Sequence, residues 1–502
     1  MNKRMTTMPV YRRMERDRPT KNSLVYITKV EGHTIQKDPQ LVDPFVRRAL
    51  IALLGNDPVE EFSEYTRSFY TEEGHYRNLW MYDRKITPRP DDPDIDLALD
   101  LTRKAFAPTE AIQSIGWDSL GDVPFIPTSS AGWKYKGPKG APGNHELAIS
   151  RAVGSLHAWL DSQRPDRDRY PRFRYTPDLA FTRTQLMTMD SPKIRHVWGK
   201  AFHNIILEGM SASPLIHYYT RIGQPIVVGI HLYKKLPYLI RTCLWDGEHR
   251  RIGVGLDMTS FDTCPMPWLI NAIFDIIESF LTFPDEMSHH AFRYTRKFFI
   301  DTPVIMPDGR MWLKKLGVPS GSYYTQLVDS MINYTVIMYL QTKMYNQQFT
   351  TWVLGDDSLF GIPDELGFPD LDEAALIVRK LGFELSTRKC IVATHPGALE
   401  FLGHVCRGAS VDREWSKMIL LALFPEREVT DPGQSLARVF GLLVDSALNN
   451  TPLITLARAM EAIYSYPEMT SVAREDSNWL RAVVGVERIP SHVDLVKVWT
   501  LT

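Results

Sequence analysis

The segment Trp352-Val353-Leu354-Gly355-Asp356-Asp357-Ser358-Leu359-Phe360 constrains this chain more than any other. Two short apolar runs flank a Gly-Asp-Asp corner, the pattern of a β-hairpin with two carboxylates at its tip. Gly and Asp suit a tight turn on steric grounds, so the corner alone is a structural signal. It gains chemical meaning from Gly253-Val254-Gly255-Leu256-Asp257, a β-prone run that ends in an acid, with Asp262 following five positions later. Two strand ends can converge on one point. Carboxylates gathered there repel one another unless a divalent cation shares them, and hard oxygen ligands with retained water are what Mg²⁺ prefers. Such a cluster points to two-metal phosphoryl transfer, in which the ions activate an attacking hydroxyl and stabilise charge developing at phosphorus.

A third element is Pro319-Ser320-Gly321-Ser322-Tyr323-Tyr324-Thr325, a Ser-Gly loop that opens into a helix predicted over about 323–344. Gly permits close backbone approach, and an N-cap would account for Ser320. It would not account for Thr325, Asp329 and Asn333, which recur four apart and therefore share one face of an otherwise apolar helix. That polar face is expected to point into a wet functional cavity.

Helical periodicity is also clear after residue 265, where Pro265 and Pro267 precede Leu269, Ile270, Ile273, Phe274, Ile276 and Ile277. Mixed helices and strands make the class α+β or α/β. With 44% hydrophobic and 23% charged residues over 502 positions, a well-cored chain is expected and extensive disorder is excluded. The greasiest stretch, 224–240, is interrupted by His231, Lys234 and Lys235, which argues against a membrane-spanning helix; the N-terminus lacks the apolar core of a signal peptide. A cytoplasmic or particle-enclosed protein is expected. Cys243, Cys264, Cys390 and Cys406 are too scattered for a disulfide framework or a zinc site.

The 58 Lys and Arg nearly balance 59 Asp and Glu, so only a local basic channel could attract nucleic acid. Two basic stretches stand out. Lys3, Arg4, Arg12, Arg13, Arg16, Arg18 and Lys21 form an N-terminal arm, which reads either as a contact with something acidic or as a solvated tail. Arg164, Arg167, Arg169, Arg172, Arg174, Arg183, Lys193, Arg195 and Lys200 are interleaved with Tyr170, Phe173, Tyr175 and Phe181, as on a nucleic-acid path or a charged surface over half-buried aromatics.

Taken in order, Asp257-x4-Asp262, Ser320-Gly321-x3-Thr325 and Gly355-Asp356-Asp357 resemble motifs A, B and C of viral RNA-dependent RNA polymerases. Gly382 to Lys389 resembles the end of motif D, Leu399-Glu400-Phe401-Leu402-Gly403 the motif E grip, Lys193-Ile194-Arg195 motif F, and Thr128-Ser129-Ser130-Ala131-Gly132 motif G. The Ser-Gly and Gly-Asp-Asp-Ser segments, with Leu423-Phe424-Pro425-Glu426-Arg427, look most like partitivirus-like polymerases of small segmented double-stranded RNA viruses. The match spans roughly residues 125–440.

The resemblance implies a closed right hand: a basic arm at 1–30, mainly fingers at 31–245, a palm at 246–405 with an inserted fingers segment around 280–318, and a thumb and C-terminal region at 406–502. The palm would be an antiparallel sheet backed by helices. Asp257, Asp356 and, more peripherally, Asp357 would hold Mg²⁺, with Mn²⁺ as a substitute, and Lys389 would protonate the departing pyrophosphate. Lys193 and Arg195 would clamp the triphosphate; Asp262, Ser320, Gly321, Thr325, Asp329 and Asn333 would form the nucleotide site. The position four after Thr325 is Asn in picornavirus-like relatives and Asp329 here, so either Asp329 or Asn333 completes ribose selection. Ser129, Ser130 and Gly132 would guide the template, and Phe401, Leu402 and Gly403 would grip the primer. The implied partners are an RNA template and product duplex, ribonucleoside triphosphates and a viral capsid protein, in the virion interior and host cytoplasm, with no membrane. A reverse transcriptase would show an aromatic-x-Asp-Asp corner and a bulky residue excluding the 2′-hydroxyl, whereas this chain has Leu354-Gly355-Asp356-Asp357 and Asp262. A noncatalytic capsid or RNA-binding protein would have no use for complete acidic and Ser-Gly motifs.

Overall fold

The structure, a computed structural model, describes residues 23–33, 41–164, 175–190, 194–229, 232–408, 410–464 and 493. The chain is α+β. At its centre is a four-stranded antiparallel sheet, ordered Thr351–Leu354, Asp357–Pro363, Arg251–Gly255, Ile391–Ala393. The two predicted strands are thus present, and the acidic corner joins the first two as a hairpin with Leu354 opposite Asp357. Gly355 has φ +63°, the left-handed conformation that the two-residue loop Gly355-Asp356 requires.

One face of this sheet is covered by the Thr325–Tyr345 helix, which is buried along most of its length. Burial on several sides is why its apolar residues show no single stripe: Val328, Met331, Ile332, Val336, Ile337 and Leu340 all sit in the main core. The Pro267–Ser279 helix begins, as expected, on a proline in its first turn and buries the predicted apolar positions in the same core. The Pro93–Phe106 helix lies along the central helix, where Thr102 and Thr335 share a 2.8 Å hydroxyl contact. On the other side the Leu232–Leu244 helix packs against the Arg251–Gly255 and Asp357–Pro363 strands. It falls inside the range expected for fingers but belongs by packing to the central sheet.

A second sheet of five strands is ordered Leu24–Lys29, Arg310–Lys314, Thr302–Ile305, Asp178–Arg183, Arg195–Gly199. The 280–318 insertion therefore pairs with strands from near residue 190, and Asp178–Arg183 joins Thr302–Ile305 in parallel. The edge strand Leu24–Lys29, at the end of the expected 1–30 arm, hydrogen-bonds into this sheet; residues 1–22 lie outside the described ones.

The helices Trp415–Leu423, Pro432–Asp445 and Thr451–Ile463 form a separate apolar cluster, with Leu436, Val439, Phe440 and Leu443 inward as their helical spacing requires. The Pro44–Leu54 helix packs into the same cluster through Val46, Ala49 and Leu50. An early helix within the 31–245 range is thus a structural part of the C-terminal bundle. Its apolar stripe needs cover, and the chain supplies it there. Asp43 fastens the junction. Its buried carboxylate caps the helix by accepting from the Phe45 and Val46 amides, and also accepts from Ser435 (2.8 Å) and Arg438 (2.7 Å). Arg67 donates to the Phe424 carbonyl at 2.7 Å, a further bond between the early chain and the bundle.

Asp43→Ala removes a cap and leaves Arg438 partly buried without its carboxylate, so it should destabilise the fold by about 3–5 kcal/mol. Asp43→Asn keeps the oxygen that caps and should cost less. Thermal unfolding of the two variants checks the order.

Candidate active site

The acidic residues reach one cleft because antiparallel strands deliver them from opposite directions. Asp257 follows the Arg251–Gly255 strand, while Asp356 and Asp357 stand at the turn leading into its neighbour, Asp357–Pro363. Asp257, Asp356 and Asp357 line a cavity of about 140 Å³ with Lys389, Glu400, Phe401, Leu402 and Gly403. Asp257 and Asp356 also line an adjoining cavity of about 410 Å³, which extends past Asp262 and Ser320 to Arg195, Arg183 and Arg77.

Acidic charge in the cleft is only partly compensated. Asp357 is pushed up to about 6 by the recess of the cleft and by the charges of Asp356, Asp257 and Glu400, against the pull of Arg195. Asp262 is raised by burial and by Asp356, while a hydrogen bond from Ser320 and the charge of Arg195 work the other way. The Lys389 ammonium, 62% exposed, lies 3.9 Å from Asp257. Arg195 thus faces carboxylates from two strand ends, and in the sheet register it stands opposite Arg183, which lines the same cavity. Lys193 lies outside the described residues.

The Ser-Gly loop is laid against the wall of this cleft. A Cβ at Gly321 would stand 1.9 Å from the Trp198 carbonyl oxygen, so only glycine fits there. Ser320 donates to the Asp262 carboxylate and does not cap the helix, whose N-cap is Tyr324. Thr325 donates to the Pro319 carbonyl at 2.7 Å and closes the loop on itself.

The polar face behind it departs from expectation. Asp329 and Asn333 are buried and line neither cavity. They do share a face, but the acidic hairpin covers it. The Asn333 amide donates to the carbonyls of Gly355 (3.0 Å) and Asp357 (3.2 Å), and the Gly355 amide donates to the Ser330 hydroxyl at 2.8 Å. Asp329 is pushed well up by complete burial and by the facing charges of Asp262 and Asp356.

The other expected residues lie further out. Ser129 and Ser130 sit in a loop stapled by Lys139, which donates to the Ser129 hydroxyl (2.7 Å) and the Ser130 carbonyl (2.9 Å). With Gly132 they line neither cavity. At the grip, Leu402 and Gly403 take positive φ and fold Phe401 back onto His404 by paired backbone hydrogen bonds of 2.9 and 3.0 Å. His404 reaches the Asp445 carbonyl at 2.9 Å, tying the grip to the C-terminal helices.

Sequence reading missed Ser330, Tyr82, Glu400 and Glu208. Tyr82 backs the Asp262 loop, its hydroxyl bonded to the Val318 carbonyl at 3.0 Å. Two signals were available: Ser330 is a polar residue within an apolar helix, and Glu208 is the lone acid in Phe202-His203-Asn204-Ile205-Ile206-Leu207-Glu208-Gly209-Met210. Nothing local marks Tyr82, whereas Glu400 lies within the motif E stretch without a role of its own there.

Residues 59–424 match the family described as viral RNA-dependent RNA polymerase, and the chain belongs to that family. Among curated relatives, the RNA-directed RNA polymerase of White clover cryptic virus 1 is 23% identical over 322 residues, 58% of this chain and 52% of the relative. That of Cryptosporidium parvum virus 1 is 32% identical over 117 residues, 22% of this chain and 21% of the relative. The chain thus spans about half the length of the first of these and about a fifth of the second. They are of the partitivirus type that the motifs resembled. The fold is that of solved viral polymerases: the Sicinivirus 3Dpol RNA-dependent RNA polymerase superposes with a TM-score of 0.67 at 11% identity, covering 87% of this chain and 94% of that one. The RNA-dependent RNA polymerase of a human picorbirnavirus gives 0.63 at 13% identity, covering 91% and 88%.

Asn333→Ala should remove the side-chain donor to the buried Gly355 carbonyl and the part-buried Asp357 carbonyl and cost about 2–3 kcal/mol, against about 1 kcal/mol for Ser330→Ala. Urea denaturation of the two variants measures the difference.

Proposed function

We propose that this chain is an RNA-dependent RNA polymerase that copies an RNA template from ribonucleoside triphosphates, replicating and transcribing a double-stranded RNA virus genome. The observation that carries the reading is the convergence of Asp257, Asp356 and Asp357 on one cleft whose far wall presents Arg195. Family membership and the shared fold support it.

Mg²⁺, with Mn²⁺ as a substitute, fits this donor set. Among the described residues no three acidic, His or Cys side chains form a ready-made metal-binding group. Mg²⁺ does not need one: it commonly takes one or two carboxylates and completes its shell with water and substrate phosphates. Asp257 and Asp356 would hold it, with Asp357 behind them, and the repulsion these carboxylates now exert on one another would become attraction. Bound there, the ions would lower the pKa of an attacking hydroxyl and neutralise charge at phosphorus. The chain's own groups do the rest. Arg195 and Lys193 orient the triphosphate by charge-assisted hydrogen bonds. Lys389, exposed beside Asp257, supplies the proton to pyrophosphate.

Ribose selection is assigned to Asp262, Ser320 and Asp329. Asn333 is already committed to the hairpin carbonyls, whereas Asp329 faces Asp262. A site whose buried polar groups expect a hydroxyl penalises the sugar that lacks it. The Ser129–Gly132 loop guides the template, and Phe401 to Gly403 support the primer or product end. In the hand analogy the four-stranded sheet is the palm, the five-stranded sheet the core of the fingers, and the C-terminal bundle with the Pro44–Leu54 helix the thumb. The assigned setting is the virion interior and host cytoplasm, with a capsid protein as partner. No helix among the described residues is long and apolar enough to cross a membrane.

Incorporation of labelled ribonucleotides on single-stranded RNA, with Mg²⁺ or Mn²⁺, tests the reading. Asp356→Ala should fold and bind template yet lose several kcal/mol of transition-state stabilisation, roughly a thousandfold or more in rate. Synthesis at the wild-type level in that variant would refute the assignment. Asp262→Ala should narrow the preference for ribo- over deoxyribonucleotides, and an unchanged ratio would remove Asp262 from sugar selection.

A further inference from the structure

The Ser-Gly loop has two carboxylate partners, and only one of them belongs to the acidic cleft. Ser320 donates to Asp262 on the cleft side. On the far side of Gly321, the Ser322 hydroxyl donates to Glu208 Oε2 at 2.9 Å and the Tyr323 amide donates to the same oxygen at 2.8 Å. One turn further along the Phe202–Ile222 helix, the Tyr324 hydroxyl donates to Ser211 at 2.6 Å. Three successive residues of the loop are therefore fastened to one face of one helix.

Glu208 is 1% exposed and stands within an otherwise apolar stretch. A carboxylate is costly there without compensation. Its other oxygen, Oε1, lies 3.1 Å from the ammonium of Lys200, a close charge contact outside hydrogen-bond alignment. Lys200 lies 3.5 Å from Asp178 and 4.2 Å above the Phe298 ring, with no exposed surface on its side chain. Lys200 follows the Arg195–Gly199 strand directly, and the Trp198 carbonyl in that strand is the wall against which Gly321 lies. The strand that carries Arg195 and the loop that carries Ser320 are thus coupled through one buried ion pair.

We propose that Glu208, backed by Lys200, is a positioning residue for nucleotide selection: it fixes the Ser322–Tyr323 end of the Ser-Gly loop so that Ser320 is presented to Asp262 in the geometry that reads the ribose hydroxyl. The proposal rests on the polymerase reading above, because it names what holds that site's selecting loop. A fixed far end matters for a specific reason. Bringing a sugar hydroxyl between Ser320 and Asp262 exchanges their mutual hydrogen bond for bonds to the ligand, and a loop free at both ends could follow Ser320 and accept either sugar.

Two measurements on the full chain separate this role from a merely structural one. The first is the ratio of kcat/KM for a ribonucleotide to that for the matching deoxyribonucleotide, in Glu208→Gln, Glu208→Ala and Ser322→Ala. A variant that only lowers the folded fraction reduces both rates equally and leaves the ratio alone. A displaced loop lowers the ratio, by about tenfold or more in Glu208→Ala and by less in Ser322→Ala, which loses one of the two bonds. The second is hydrogen exchange of the Tyr323 amide, whose protection should fall in Glu208→Ala while that of the Thr351–Leu354 strand is kept. This readout needs no catalysis. If wild type makes no RNA while the exchange result holds, the function reading fails and the anchor stands. Unchanged sugar discrimination and unchanged Tyr323 protection in a folded variant would overturn the proposal. If Glu208→Ala does not fold, Ser322→Ala, which leaves the buried ion pair intact, decides the question by its ratio alone.

Discussion

A two-residue turn carrying Asp356, with Asp357 next to it and Asp257 and Glu400 nearby, is a concentration of like charge that local forces would drive apart. It persists because its backbone is not free to move. The turn's Gly355 amide is taken by Ser330, and the Gly355 and Asp357 carbonyls are taken by Asn333. Both side chains project from a helix buried by the Pro93–Phe106 helix on one flank and by the sheet on another. Repulsion among carboxylates is thereby opposed by hydrogen bonds, two of them buried at Gly355, where each bond lost costs more than it would at the surface. Everything else in the cleft takes its place from this clamp.

The parts of the site legible in sequence are those where the backbone needs a particular residue type locally. Gly355 and Asp356 announce a turn, Gly321 a close approach, and Pro267 with its apolar train a helix start. Each implies its neighbours over a few residues, so the hairpin, the loop and both helices could be read directly. Long-range packing was not legible in the same way. The Pro44–Leu54 helix is amphipathic, which says that it needs cover and not which surface supplies it; its partner lies nearly four hundred residues away, through Asp43 and Ser435. The polar stripe Thr325-Asp329-Asn333 shows the limit most clearly. Spacing correctly put the three on one face, yet a polar face is required equally by a wet cavity and by a hairpin with carbonyls to satisfy, and helical periodicity cannot distinguish the two.

That distinction changes the reading of ribose selection. Asn333 gives both amide protons to backbone carbonyls, which leaves it no donor for a sugar and only its Oδ1 as an acceptor. The neighbouring acid, one turn earlier and facing Asp262, has a side chain not otherwise engaged at Oδ1. The departure from the picornavirus-like pattern thus falls at a position where burial and two facing carboxylates favour the neutral acid, which carries a donor proton as an amide does. Replacing an amide by an acid is tolerable here because burial first, and the charges of Asp262 and Asp356 second, shift Asp329 toward its neutral form.

The Lys200–Glu208 pair raises the opposite question, since here an ammonium and a carboxylate are buried side by side. Buried ion pairs seldom improve stability over apolar residues of equal size, because desolvation consumes most of the Coulombic gain. Asp178, the third member of the group, is pushed up to about 6 by burial, so the local charge balance is itself marginal. Leucine at 208 beside Ile205-Ile206-Leu207 would have stranded the buried Lys200 ammonium, so only an apolar replacement of the whole pair could have gained stability. It would also have left the Ser322 hydroxyl and the Tyr323 amide without an acceptor, and the loop without a fixed end. What a carboxylate supplies that leucine cannot is direction: one oxygen placed to accept two bonds from adjacent residues of a glycine-containing loop. The ion pair is best understood as the means of keeping that oxygen oriented inside the protein, with specificity of the loop as the return for its cost.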